Sequence, residues 1–185
     1  MNLRTSAHRV QQVVSHVYAV TQQWLSSLGL AEPVGAAGDE HLRALKANQR
    51  VRQAFAAAHP ADQLSATRIA ASLLQSASGR DDQLAAFLHD LPKGHVGLVP
   101  RVIHVLEGSP VSGRARGPWA TSRQRLRRHA ADAPAHAARL GAPRGAVALL
   151  RELARHESRH ASGLAAGRLT PRAQRILELD NGWSR

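Results

Sequence analysis

The segment FLHDLPKG, residues 87–94, sets an imidazole (His89), a carboxylate (Asp90) and an ammonium (Lys93) within five positions at the end of an apolar stretch. Leu84, Phe87 and Leu88 mark the part of it that belongs in a core. Burying His89 and Asp90 beside them is costly unless the two are paired or hold a metal ion. Two explanations meet here, a capping Asp ahead of Pro92 and a ligand pair. A second constellation is HESRH, His156 to His160, whose i, i+4 imidazoles and intervening Glu157 fit the HExxH pattern of a zinc-binding helix. No downstream third ligand accompanies it, and Gly163 ends the helix soon after. The third is basic. Arg114, Arg116, Arg123, Arg125, Arg127 and Arg128 fall within fifteen positions, a density able to neutralise several phosphates.

Composition limits which of these chemistries can operate. With no Cys, thiolate metal sites, disulfides and Cys nucleophiles are excluded, so any metal must be held by His and carboxylates. The 185 residues carry 25 Lys+Arg against 13 Asp+Glu, a formal charge of +12, with 11 His in reserve, so polyanions are attracted. Only Lys46 and Lys93 are lysines. Arginine usage with abundant Ala and Gly is also what a GC-rich genome produces, so charge alone does not name a partner. Three Trp, one Tyr and two Phe leave few stacking platforms for single-stranded nucleic acid. The composition, 43% hydrophobic and 21% charged, is globular. No run is apolar for long enough to span a membrane, and the start lacks an apolar signal core, so a cytoplasmic protein is expected.

The elements that must position these residues are helical. Val10, Val13, Val14, Val17, Val20, Trp24 and Leu28 recur at intervals of three and four, the helical period, and Gly29 ends that element. After a breaker-rich connection over 32–38, one helix is expected from about 39 to 58, stopped by His59-Pro60. Asp62 is read as the N-cap of a helix carrying Leu64, Ile69, Leu73 and Leu74, ended near Gly79. Asp81 or Asp82 opens the next, over 84–91, which Pro92 interrupts. The β-branched run over 96–106 has no pairing partner and reads as helix. Residues 108–118 are a Gly/Pro loop, the arginine segment to His129 is helical, and Asp132 with Pro134 reads as the start of a separate short helix closed at Gly141. Two more begin at Pro143 and Pro171, through 155 and 179.

In this order the chain resembles the HD superfamily of metal-dependent phosphohydrolases. The resemblance is carried by Ala61-Asp62-Gln63, the apolar helix through Ile69 and Leu73, LAAFLHDLPKG over 84–94 and VPRVIHVL over 99–106. It continues in a His-led helix over 129–141, VALLRELARHE over 147–157 and LELD over 177–180. It covers residues 51–185 and implies an all-α single bundle of about eight helices of the HD type, with residues 1–50 as an N-terminal helical extension. What it further implies is a divalent cation (Mn, Mg, Fe, Co or Zn) held by His89, Asp90 and Asp180. Asp90 and Lys93 would be catalytic, Lys93 would face phosphate, and His129 and His156 match two further histidines that in some members hold a second metal or bind phosphate oxygens. The chain departs from the family at Ser65, which stands where the first family histidine belongs; a neutral hydroxyl does not replace an imidazole nitrogen. Three protein ligands with water still make a recognisable catalytic site. The expectation is a phosphohydrolase acting on a nucleotide or other phosphoester. The alternative is a degenerate, inactive HD-fold protein that binds a nucleotide, a protein partner or nucleic acid, the last through Arg123, Arg125, Arg127 and Arg128.

Overall fold

The computed structural model describes residues 33–107, 119–165 and 167–180, with a few isolated positions before residue 33. The expected first helix over 10–28, the 108–118 loop, and with it Arg114 and Arg116, lie outside the described residues. Within them the chain is all-α: α1 (Ala36–Ala44), α2 (Gln49–Ala56), α3 (Pro60–Gln75), α4 (Arg80–Leu88), a 3₁₀ turn (Leu91–Lys93), α5 (Leu98–Glu107), α6 (Ala120–Arg139), α7 (Arg144–Ala161) and α8 (Pro171–Asp180). No described helix is long and apolar enough to cross a membrane.

The centre of the bundle is α4. Every residue from Asp82 through Leu88 is buried, because the helix is flanked on several sides and its Ala85 and Ala86 let neighbours approach closely. It packs against α3, α7 and α8. The only two phenylalanines of the sequence, Phe55 and Phe87, meet edge to face at 5.2 Å. Leu42 of α1 and Val51 of α2 lie in the same hydrophobic cluster as Ile69, Leu73, Leu150 and Ile176. Gly145 opens α7 where the Asp81 carboxylate lies so close that any Cβ would collide with it.

Two polar ties fix α8 on α4. Arg172, in the first turn of α8, donates to buried Asp82 of α4 (Nε to Oδ1 2.7 Å). Seven residues along α4 and eight along α8 lead to His89 and Asp180, again neighbours at 3.5 Å. At 1.5 Å rise per residue both paths are about 11–12 Å, so the two helices run parallel and in register. Upstream, Glu152 of α7 receives the Thr170 backbone N–H and, at 2.9 Å, its hydroxyl, anchoring the entry to α8.

Several boundaries differ from those expected. The 39–58 segment is two helices, broken where Lys46 takes φ 52° and Asn48 caps α2 by accepting the Val51 N–H at 3.0 Å. The cap of α3 is His59, whose Nδ1 accepts from Ala61 N–H, with Pro60 in the first turn. Asp62 is therefore not a cap; it is buried and paired with Arg101 (2.7 and 2.6 Å). Gly79 rather than an Asp precedes α4, leaving Asp81 and Asp82 in its first turn. Pro134 does not start a helix. It sits buried inside α6, where packing of Ala133, Pro134 and Ala137 compensates the hydrogen bond that proline removes, and Asp132 pairs with Arg128 instead. The α5 segment is helical as read, and α7 runs beyond 155 to Ala161.

Candidate metal centre

The donors come from the ends of two helices and a tight turn. His89 is the C-cap of α4 and Asp90 follows it. Pro92, which has no N–H to offer a continuing α-helix, forms the 3₁₀ turn in which Lys93 N–H donates to Asp90 O at 3.0 Å. That turn carries the Lys93 side chain back over Asp90, Nζ to Oδ2 2.6 Å. Gly94 then takes φ 60°, ψ −163°, a conformation open to glycine alone, and an added Cβ would come within 3.2 Å of the Arg125 guanidinium. Asp180, the last residue of α8, arrives from the parallel neighbour.

His89, Asp90 and Asp180 each offer one donor atom within 4.8 Å of the others, and they are the one such His/carboxylate group among the described residues. His89 Nδ1 bonds Ala86 O at 2.7 Å, which fixes the proton on Nδ1 and leaves Nε2 to act as a ligand. His89 Nε2 is buried and has no hydrogen-bond partner among the described residues. It stands 3.5 Å from Asp90 Oδ1 and 3.5 Å from Asp180 Oδ1. Charge-assisted N–H···O⁻ bonds are about 2.7–2.9 Å. Two donors on one tetrahedral ion, each about 2.0–2.2 Å from it, lie about 3.3–3.6 Å apart. The spacing and the orphaned nitrogen fit a shared cation better than a hydrogen-bonded triad, and imidazole with two carboxylates suits a borderline or hard divalent ion.

The electrostatics describe the residues without that ion. Burial pulls the His89 imidazole down, but Asp90 and Asp180 outweigh it and push its pKa up to about 10. Burial raises Asp90, yet His89, Lys93 and His129 together hold its carboxyl well below the usual range; Asp180 is likewise held down, against burial, by His89. Burial opposes the Lys93 charge, and Asp90 more than restores it. Burial and the Lys93 charge lower His129 to about 4, so that imidazole is neutral.

The structure brings five of the six expected site residues together and leaves one apart. His89, Asp90, Asp180, Lys93 and His129 converge, the last with Nε2 3.4 Å from Asp90 Oδ1. His156 does not join them; its Nδ1 pairs with Gly167 O at 3.3 Å, and His160 is exposed, so HESRH assembles no metal group. The neighbouring Glu157, though an exposed residue, reaches the site instead. It lines a cavity of ≈ 20 Å³, room for about one water, together with His89, His129 and Asp180 over a floor of Leu150 and Ile176. Although part of Glu157 stays open to solvent, the surrounding protein atoms and then the Asp180 charge push its carboxyl up to about 7. The signal was present in the spacing: Leu150, Leu153 and Glu157 share one helix face, and His156 lies about 100° off it. Ser65 is half-buried on α3. Of the arginines on α6, Arg125 and Arg128 are exposed while Arg123 and Arg127 are half-buried, so they do not form one stripe.

No family model, curated protein or solved structure matches this chain.

Proposed function

We propose that the chain is a metal-dependent phosphohydrolase of the HD type, acting on a nucleotide or other phosphoester. The observation that carries this reading is the orphaned Nε2 of His89, aimed between two carboxylates at the spacing of shared ligands. His89, Asp90 and Asp180 hold the cation, which when bound supplies Lewis acidity and an acidified water. Lys93 stands over Asp90 and offsets negative charge on the phosphoryl oxygens. Glu157, with its carboxyl near neutrality, is placed across the cavity to hold or take a proton from a water there. Leu150 and Ile176 keep bulk water from the inner side.

The test is elemental analysis of dialysed protein followed by phosphomonoester hydrolysis with Mn, Mg, Co, Fe or Zn. One cation retained per chain, with hydrolysis abolished in Asp90→Ala, is the expected result. A chain that retains no stoichiometric cation overturns the reading. That outcome would favour the degenerate binding protein, for which the specific observations are Ser65 at the first-histidine position and the 2.6 Å ion pair that already neutralises Asp90.

A further inference from the structure

A second cavity shares no lining residue with the one beside His89. Its volume is ≈ 150 Å³, against ≈ 20 Å³ there, and a cavity of about that size is enough to hold a benzene ring. The floor is Val51, Leu84 and Leu88, each almost fully buried, and no carboxylate lines it. Two matching turns form the rim. After α1, Lys46 N–H donates to Arg43 O (2.8 Å) and Ala47 N–H to Leu42 O (2.9 Å); after α6, Gly141 N–H donates to Ala138 O (3.0 Å) and Ala142 N–H to Ala137 O (3.0 Å). Gly141 takes φ 75° and Lys46 φ 52°, the left-handed conformation that a helix end ordinarily gives to glycine. A lysine in that position costs stability, and it places an ammonium at the cavity mouth.

The other polar groups at the rim are already committed. Asn48 Nδ2 spans to Leu140 O (2.9 Å) and Gly141 O (3.1 Å), and Arg80 holds the Lys46 turn through Nε to Leu45 O (2.7 Å) and Nη2 to Lys46 O (3.2 Å). These bonds set the walls before any ligand arrives. Asp81, next to Arg80 in sequence, is turned onto Gly145 and does not line the cavity. We infer that this cavity binds a small organic monocarboxylate whose apolar body is the size of a benzene ring, with its carboxylate on Lys46 and its body against Leu84 and Leu88. Lys46 supplies a point charge, and Arg80, its fork spent on two carbonyls, leaves only Nη1. The rim therefore offers single contacts rather than the bidentate clamp that arginine makes on phosphate. This site is independent of the metal reading.

The experiment is calorimetric titration of the full chain with benzoate at fixed ionic strength, repeated with benzyl alcohol, acetate and inorganic phosphate. It compares the wild type with Lys46→Gly, Ala142→Leu and Arg50→Gln, each checked for an unchanged helical circular dichroism spectrum. Benzoate is expected to bind at one per chain, with benzyl alcohol, which lacks the charge, and acetate, which lacks the ring, at least tenfold weaker. Lys46→Gly should weaken benzoate at least tenfold without lowering the melting temperature, because glycine suits that backbone. Ala142→Leu, which fills the cavity from its wall, should abolish binding, whereas Arg50→Gln, at an exposed cation outside the cavity, should stay within twofold of the wild type. A wild type that binds no benzoate overturns the inference. So does affinity that stays within twofold of the wild type in either Lys46→Gly or Ala142→Leu, equal affinity for benzyl alcohol, or displacement of benzoate by an equal concentration of acetate or inorganic phosphate.

Discussion

Two buried ionic clusters sit a few residues apart in this bundle and are built on opposite principles. At the first, Arg101 grips Asp62 through two short bonds (2.7 and 2.6 Å) and spends its remaining donors on Val96 O at 2.9 Å and Gly94 O at 3.2 Å. Both side chains are almost fully buried. The cluster is closed. At the second, His89 Nε2 stands 3.5 Å from both Asp90 and Asp180, His129 Nε2 stands 3.4 Å from Asp90, and the His89 nitrogen has no hydrogen-bond partner among the described residues. Lys93 is the one short contact there. The difference separates an ion pair that holds the turn after Lys93 in place from a set of donors arranged for something to enter between them. The first pair is sealed from solvent, whereas Asp180 at the second is 39% exposed, and the two differ as well in the satisfaction of their polar atoms.

The comparison breaks most visibly at the closed cluster. Arg101→Ala leaves the Asp62 charge buried and alone, and should cost about 3–5 kcal/mol in a urea titration. The double variant Asp62→Leu, Arg101→Met should recover most of that loss, because apolar groups of similar volume replace a buried pair well. At the open cluster, Lys93→Ala should lower kcat for phosphomonoester hydrolysis by about 10²–10³ and leave the cation content of the dialysed protein unchanged. A cation at a hundred times its dissociation constant should raise stability by about 2.7 kcal/mol in the wild type, seen as a higher melting temperature, and by nothing in Asp180→Asn. The smallest effect belongs to a surface pair outside both clusters. The hydrogen bond from Arg52, with Arg43 beside it, keeps the Asp39 carboxyl below its ordinary 3.8 despite the opposing effect of burial. Its folded pKa being depressed, this contribution is present above pH 3.8 and disappears as acid protonates the carboxylate. Partial exposure limits it to less than about 1 kcal/mol, so Asp39→Asn should flatten the acid limb of the stability curve only slightly.

Much of this was legible before any coordinates. The all-α class followed from the three-and-four spacing, and the trio at 89, 90 and 180 is brought together as the order of motifs implied. What was not legible depended on partners distant in sequence. Asp62 has the composition of a cap, and only the arrival of Arg101, 39 residues later, makes it a buried anion. Gln63 is likewise buried through distant partners: its amide donates to Phe55 O, Ala56 O and Ala58 O and so closes the end of α2. Pro134 reads locally as a helix start, and tertiary packing against α7 overrides that preference. The resemblance points to His156, whereas the helix phase delivers Glu157 to the cavity.

The parallel registry of α4 with α8 puts the Asp82–Arg172 and His89–Asp180 contacts along one seam. Asp180 lies two turns beyond the Arg172 guanidinium that docks on Asp82, so without α8 the chain would offer two of the three donors. Under the proposed reading, retention of a cation therefore doubles as a gauge of whether the final helix is seated, because one of its three donors is that helix's last residue.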